Sequence, residues 1–128
     1  MRRFRTITSI AIGVAGGLAL FAPARAQESQ CQIIGTWAGW GQNATGSFDI
    51  GSGQSCTIGA TTLGHFEGSK VAKRPRHGTV KQLSLSNWQY TSKARYKGTD
   101  SFVLSGTGHE PWQPPGQHSS VTLNVNVR

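Results

Sequence analysis

Few side chains in this sequence could do chemistry: four histidines, two cysteines and five acids. His65, His77, His109 and His118 raise a metal site, because neutral imidazole is a common ligand for zinc and copper. None is paired at i, i+2 for a strand or i, i+4 for a helix, so local spacing offers no ligand set. A spatial cluster of His109, Glu110 and His118 in one loop stands as the alternative to solvated loop histidines. For nucleophilic chemistry the serines lack the Gly-x-Ser-x-Gly setting that exposes a catalytic hydroxyl, and Gly51-Ser52-Gly53 reads as a turn. Glycoside hydrolysis needs two facing carboxylates, and nothing selects a pair among Glu28, Asp49, Glu67, Asp100 and Glu110. No catalytic residue, metal or cofactor is assigned on these grounds. A non-enzymatic protein is expected, with a small hydrolase or metal-dependent enzyme as the alternative.

The elements that position these residues begin with an address. Met1 to Ala26 has a basic start (Arg2, Arg3, Arg5), an apolar stretch from Ile7 to Ala22 and an Ala24-Arg25-Ala26 end, the three parts of a cleavable secretory signal. The apolar stretch is short and glycine-containing for a permanent anchor, which needs roughly 20 residues. Arg2-Arg3 is not followed by the rest of a twin-arginine signal, and Cys31 lies too far past the cut for lipid attachment. Residues 1–26 are therefore expected to be removed, leaving 27–128 as one domain, periplasmic or secreted, with no membrane anchor.

Removal of the signal also removes four arginines. Nine basic residues then face five acids, so the net charge falls from +8 to +4, and a nucleic-acid role loses its electrostatic support. Cys31 and Cys56 remain. In an oxidising compartment an even pair without Cys-x-x-Cys spacing is expected to form a structural disulfide.

Glycine, serine and threonine are frequent after Gln27, and apolar residues do not recur at helical spacing. Alternating runs read as strands instead: an extended Gln32–Trp40 with Trp37 and Trp40, then 47–50, 55–63, 65–71, 79–83, 87–91, 101–105 and 121–127. The Asn43-Ala44-Thr45-Gly46 cluster and Pro75-Arg76-His77-Gly78 read as turns, and Gly106 to Gln117, with three prolines, as a strandless loop. About seven short antiparallel strands in ~100 residues is the pattern of a β-sandwich.

From Pro75 to Val127 the chain resembles the bacterial immunoglobulin-like and cadherin-like domains found in tandem in surface adhesins. The residues concerned are Pro75-Arg76-His77-Gly78-Thr79-Val80, Trp88-Gln89-Tyr90-Thr91, Tyr96-Lys97-Gly98-Thr99-Asp100-Ser101-Phe102 and the terminal Val-x-Leu-x-Val-x-Val. The resemblance implies an all-β immunoglobulin-like sandwich in which Gly78, Tyr96, Gly98, Asp100 and Phe102 have structural roles. Gly78 would permit a turn, Tyr96 would pin a corner through its hydroxyl, Asp100 would accept backbone N–H bonds across the turn, and Phe102 would enter the core. Some tandem relatives hold calcium between domains, but Asp49, Glu67 and Asp100 are scattered and form no Asp-x-Asp run.

Two features remain as binding candidates. One is the Gly106–His118 loop, where His109, Trp112 and His118 stand among prolines. A tryptophan there would give a stiff apolar contact, unless it folds back over an open end of the sandwich. The other is the basic run Lys70, Lys73, Arg74 and Arg76, which suits an anionic polysaccharide, lipid phosphate or acidic protein if it does more than solubilise. The expected function is binding or adhesion at the bacterial envelope or outside it, to an envelope protein or an anionic polysaccharide. A periplasmic inhibitor or assembly accessory is a further alternative.

Overall fold

Asn43–Ile50 alternates exposed and buried residues without a break, and Ser55–Gly59 and Asn87–Ser92 alternate in the same way. The computed structural model describes residues 29–35, 39–60 and 64–128. The export signal read over 1–26 and Trp37 lie outside them. The strands are β1 (Ile34–Gly35), β2 (Asn43–Ile50), β3 (Ser55–Gly59), β4 (His65–Lys73), β5 (Gly78–Gln82), β6 (Asn87–Ser92), β7 (Gly98–His109) and β8 (Gln117–Val127). They form two sheets, one in the order β1-β2-β8-β7-β4 and one in the order β3-β6-β5. With β4, β7 and β8 facing β3, β6 and β5, this is the strand arrangement of an immunoglobulin-like sandwich.

Inward residues of both sheets meet in one core. Tyr90 and Phe102 are fully buried and stack at 5.3 Å between ring centroids, with Phe48 edge-on to Tyr90 at 5.7 Å. Leu123, Val125 and Val127 of β8 close the layer beside them. Such aromatic pairs add about 0.5–1.5 kcal/mol each beyond the apolar area they bury.

The structure corrects several boundaries. The Asn43–Gly46 cluster is strand, not turn, because β2 pairs in parallel with β8 from Asn43↔Ser120 to Ile50↔Val127. This makes one of the ladders parallel rather than antiparallel. Gly46 is needed for packing: a Cβ there would lie 2.8 Å from the Ile33 side chain and 3.2 Å from Leu123. Within the described part of the extended Gln32–Trp40 run, Ile34–Gly35 is strand and Trp40 sits in a turn. The supposed loop from Gly106 to Gln117 is mostly hairpin. Strands β7 and β8 pair from Gly98↔Val127 out to Gly108↔Gln117, leaving only residues 110–116 as the tip.

Cys31 and Cys56 form a disulfide, with their Cα atoms 5.0 Å apart. Cys56 is buried in β3 opposite Tyr90, while Cys31 N–H donates to the Thr57 carbonyl at 2.9 Å. The bond thus fastens the segment before β1 to the smaller sheet, and it marks a protein that matures in an oxidising compartment. Closing a loop of 25 residues' separation constrains the unfolded chain by about 3.5 kcal/mol. Reduction is expected to lower the unfolding free energy by about that amount, measured as the shift in urea midpoint with and without reductant.

Candidate functional site

The two ends of the long β7–β8 hairpin carry the residues of interest, and the base end is held by Asp100. This carboxylate is buried in β7, yet each oxygen meets two donors. Oδ1 accepts from Arg76 N–H at 3.1 Å and Ser101 N–H at 2.9 Å. Oδ2 accepts from His77 N–H at 3.2 Å and the Tyr90 hydroxyl at 2.8 Å. One side chain therefore ties β7 of the larger sheet to β6 of the smaller one and to the β4–β5 connection crossing between them. Asp100 does accept backbone N–H bonds, but apart from Ser101 they come from the β4–β5 connection and not from across its own turn, and the Tyr90 hydroxyl is a further partner.

The neighbouring motif residues serve the same junction. Gly78 opens β5, and its lack of a side chain is required by packing, since a Cβ would sit 2.8 Å from the Tyr90 ring and 2.6 Å from the Thr91 carbonyl. It is therefore a strand residue and not the turn residue expected from sequence. Gly98 has a φ of 144°, a region that side chains disfavour, and the Tyr96 hydroxyl passes 2.8 Å from where its Cβ would be. Tyr96 is half-buried rather than enclosed. Its hydroxyl donates to the Thr99 carbonyl at 2.6 Å, and its ring stacks on His77 at 4.0 Å with an interplanar angle of 3°. Phe102 is fully buried in the core.

Burial of the Tyr90 phenol, reinforced by its hydrogen bond to the Asp100 carboxylate, pushes its ionisation far above the ordinary range. The folded state thus keeps a proton that the unfolded chain releases above about pH 10, so stability is fully present below that pH and lost as pH rises beyond it. Urea midpoints are expected to fall more steeply above pH 10 for the wild type than for Tyr90→Phe. In the folded protein, absorbance at 295 nm should leave one of the two tyrosines un-ionised until the chain unfolds.

The opposite end is the hairpin tip. Trp112 there is 75% exposed, so it does not fold back; Trp40 covers that end of the core instead. Trp40 is buried, edge-on to Phe66 at 4.8 Å, and lies over Gly106 and Gly108, where a Cβ on Gly108 would come within 2.5 Å of its ring. The tip is braced from two sides. Gln113 Nε2 donates to the Trp40 carbonyl at 3.0 Å, and Gln113 Oε1 accepts from Glu110 N–H at 2.9 Å. Glu67 meets His109 Nδ1 at 2.8 Å and accepts from Gly116 N–H at 3.1 Å, so one carboxylate holds both ends of the loop.

Glu67 and Gln113 escape sequence reading. Glu67 lies at a register shift in β4, between Phe66↔Gly108 and Gly68↔Thr107. Such a bulge re-aims a side chain with no local signature in composition. The His109–Glu110–His118 cluster does not form around an ion: His109 turns to Glu67 and His65, with the two imidazole centroids 5.7 Å apart, while His118 pairs across the hairpin with Thr107. Among the described residues no three His, Cys, Asp or Glu side chains are placed to hold a metal. Of the basic run, Lys73, Arg74 and Arg76 line one cleft at the base end; Lys70 is exposed further along β4, opposite Ser105.

The fold defines an immunoglobulin-like sandwich of the type with its first long strand added beside the last. No family model matches the chain, and no curated protein does. Among solved structures it is similar to a chain of the structure of PbICP-C in complex with falcipain-2, at 14% identity and a TM-score of 0.37, covering 74% of this chain and 96% of that one. It is also similar to the solution structure of amebosin, at 19% identity and a TM-score of 0.27, covering 68% and 97%. At these scores neither likeness carries an argument about role.

Proposed function

We propose that this chain is an exported, non-enzymatic binding module of the bacterial envelope or its exterior, periplasmic or secreted, that grips a protein partner through the tip of its β7–β8 hairpin. The observation that carries this is Trp112, 75% exposed on a loop pinned at both ends by Glu67 and by Gln113. An exposed indole on a rigid loop offers a large apolar contact with little left to order on binding, which is the physics of an interface anchor. Pro111, Pro114 and Pro115 beside it stiffen the same surface.

Three of the five acids are committed to structural contacts, which supports a binding role over a catalytic one. Asp100 has both oxygens filled, Glu67 is spent on the brace, and Asp49 pairs with Arg128 at 2.5 Å. The disulfide and the resemblance of Pro75–Val127 to surface-adhesin domains favour the envelope setting. The proposal is tested by mixing the mature protein with isolated envelope fractions. Retention that disappears when the fractions are pre-treated with protease, or when Trp112 is replaced by Ala, is the expected result. Retention indifferent to both treatments would overturn it.

A further inference from the structure

The base end of the sandwich, remote from Trp112 along the hairpin, holds a cleft of about 720 Å³. Its floor is the outward face of the larger sheet. Paired registers lay two polar rows across it, Ser47–Asn124–Ser101 and Asp49–Asn126–Thr99. These side chains are amides and hydroxyls apart from Asp49, whose charge is taken by Arg128. Along one side stand Lys73, Arg74 and Arg76, which make no ion pair among the described residues. Asp100, beneath them, is buried and has both oxygens filled from within the protein. With Asp49 offset by Arg128 and Asp100 contributing one negative charge against the three cations, the local charge remains positive, about +2.

We infer that this cleft is a second binding site, for an acidic polysaccharide of the uronate type. The cations meet carboxylates, and the Asn124 and Asn126 amides with the Ser101 hydroxyl meet sugar hydroxyls in rows at strand spacing. A single-stranded nucleic acid would need exposed rings on which bases stack, and the ring the cleft offers, His77, is already stacked on Tyr96. Contact with the acyl chains of a lipid would need an apolar rim, and the rows are polar out to Ser47 and Asp49. The site is also partly pre-formed, because Arg76 follows Pro75 and its backbone is fixed to Asp100, so less freedom is lost on binding. This site stands on residues separate from the hairpin tip and does not depend on the protein partner proposed for Trp112.

The test is calorimetric titration of the mature protein with a hexameric galacturonate, beside dextran and inorganic polyphosphate. The galacturonate is expected to bind and dextran not to. The triple variant Lys73→Gln/Arg74→Gln/Arg76→Gln should lose most of the affinity, at least about thirtyfold. The pair Asn124→Ala/Asn126→Ala should lose about tenfold with the charge intact. Trp112→Ala should bind the sugar like the wild type, which separates this site from the tip. All of these positions are on the surface, and matching melting curves would show that the variants fold. Absent galacturonate binding, or binding undiminished in the triple variant, would overturn the inference. So would polyphosphate binding as tightly as galacturonate while the asparagine pair has no effect, since that describes a surface for any polyanion.

Discussion

Replacing Asp100 by Ala is expected to lower the unfolding free energy by about 4 kcal/mol, as much as truncating a core aromatic. The carboxylate receives Tyr90 O–H, Arg76 N–H, His77 N–H and Ser101 N–H, and its loss leaves a buried hydroxyl and three part-buried N–H groups without their acceptor. A buried donor without an acceptor costs about 1–3 kcal/mol, and water entering the vacated space recovers part of the total. For a domain of ~100 residues the loss corresponds to a fall in Tm of about 20 °C. Asp100→Asn keeps the volume but turns one acceptor into a donor facing donors, so a smaller loss of about 2 kcal/mol is expected. Urea unfolding of both variants checks this; an Ala variant within about 1 kcal/mol of the wild type would show that the junction is held by packing instead.

The second large effect concerns binding. Trp112→Ala is expected to weaken attachment to envelope protein at least thirtyfold, about 2 kcal/mol, as truncation of an interface anchor does. Folding stability should stay within about 0.5 kcal/mol, because the indole is 75% exposed and buries little in the free protein. Glu67→Ala separates contact from preorganisation. It leaves Trp112 in place but frees His109 and Gly116 at the two ends of the loop, so affinity should fall by a smaller factor, about threefold to tenfold, through the cost of ordering the tip. An equal loss in both variants would mean that Glu67 itself touches the partner.

Alternation made much of the sandwich legible from residues alone. Leu123, Val125 and Val127 point inward as the period-two pattern of β8 requires, and Trp88 and Tyr90 share the buried side of β6. The cysteine pair was legible because two thiols in an oxidising compartment have few other fates. What escaped was set by distant partners. Asn43–Gly46 has turn-like composition, and only the parallel register with β8 makes it strand. Gly106 and Gly108 look like loop glycines, yet they sit in β7 to make room for the Trp40 ring. Alternation could put Tyr90 in the core but could not say that its hydroxyl would meet Asp100. Glu67 was the hardest to see, because a bulge redirects it to a loop some 40 residues away in sequence.

The binding role of the hairpin tip is tested most directly by a saturation curve. Labelled mature protein is titrated onto a fixed amount of isolated envelope fraction, side by side with Trp112→Ala of matched melting temperature. The wild type is predicted to saturate, with the variant's half-saturation point displaced at least thirtyfold to higher concentration. Superimposable curves would contradict the assignment of Trp112 as the anchor and move the binding surface elsewhere on the sandwich.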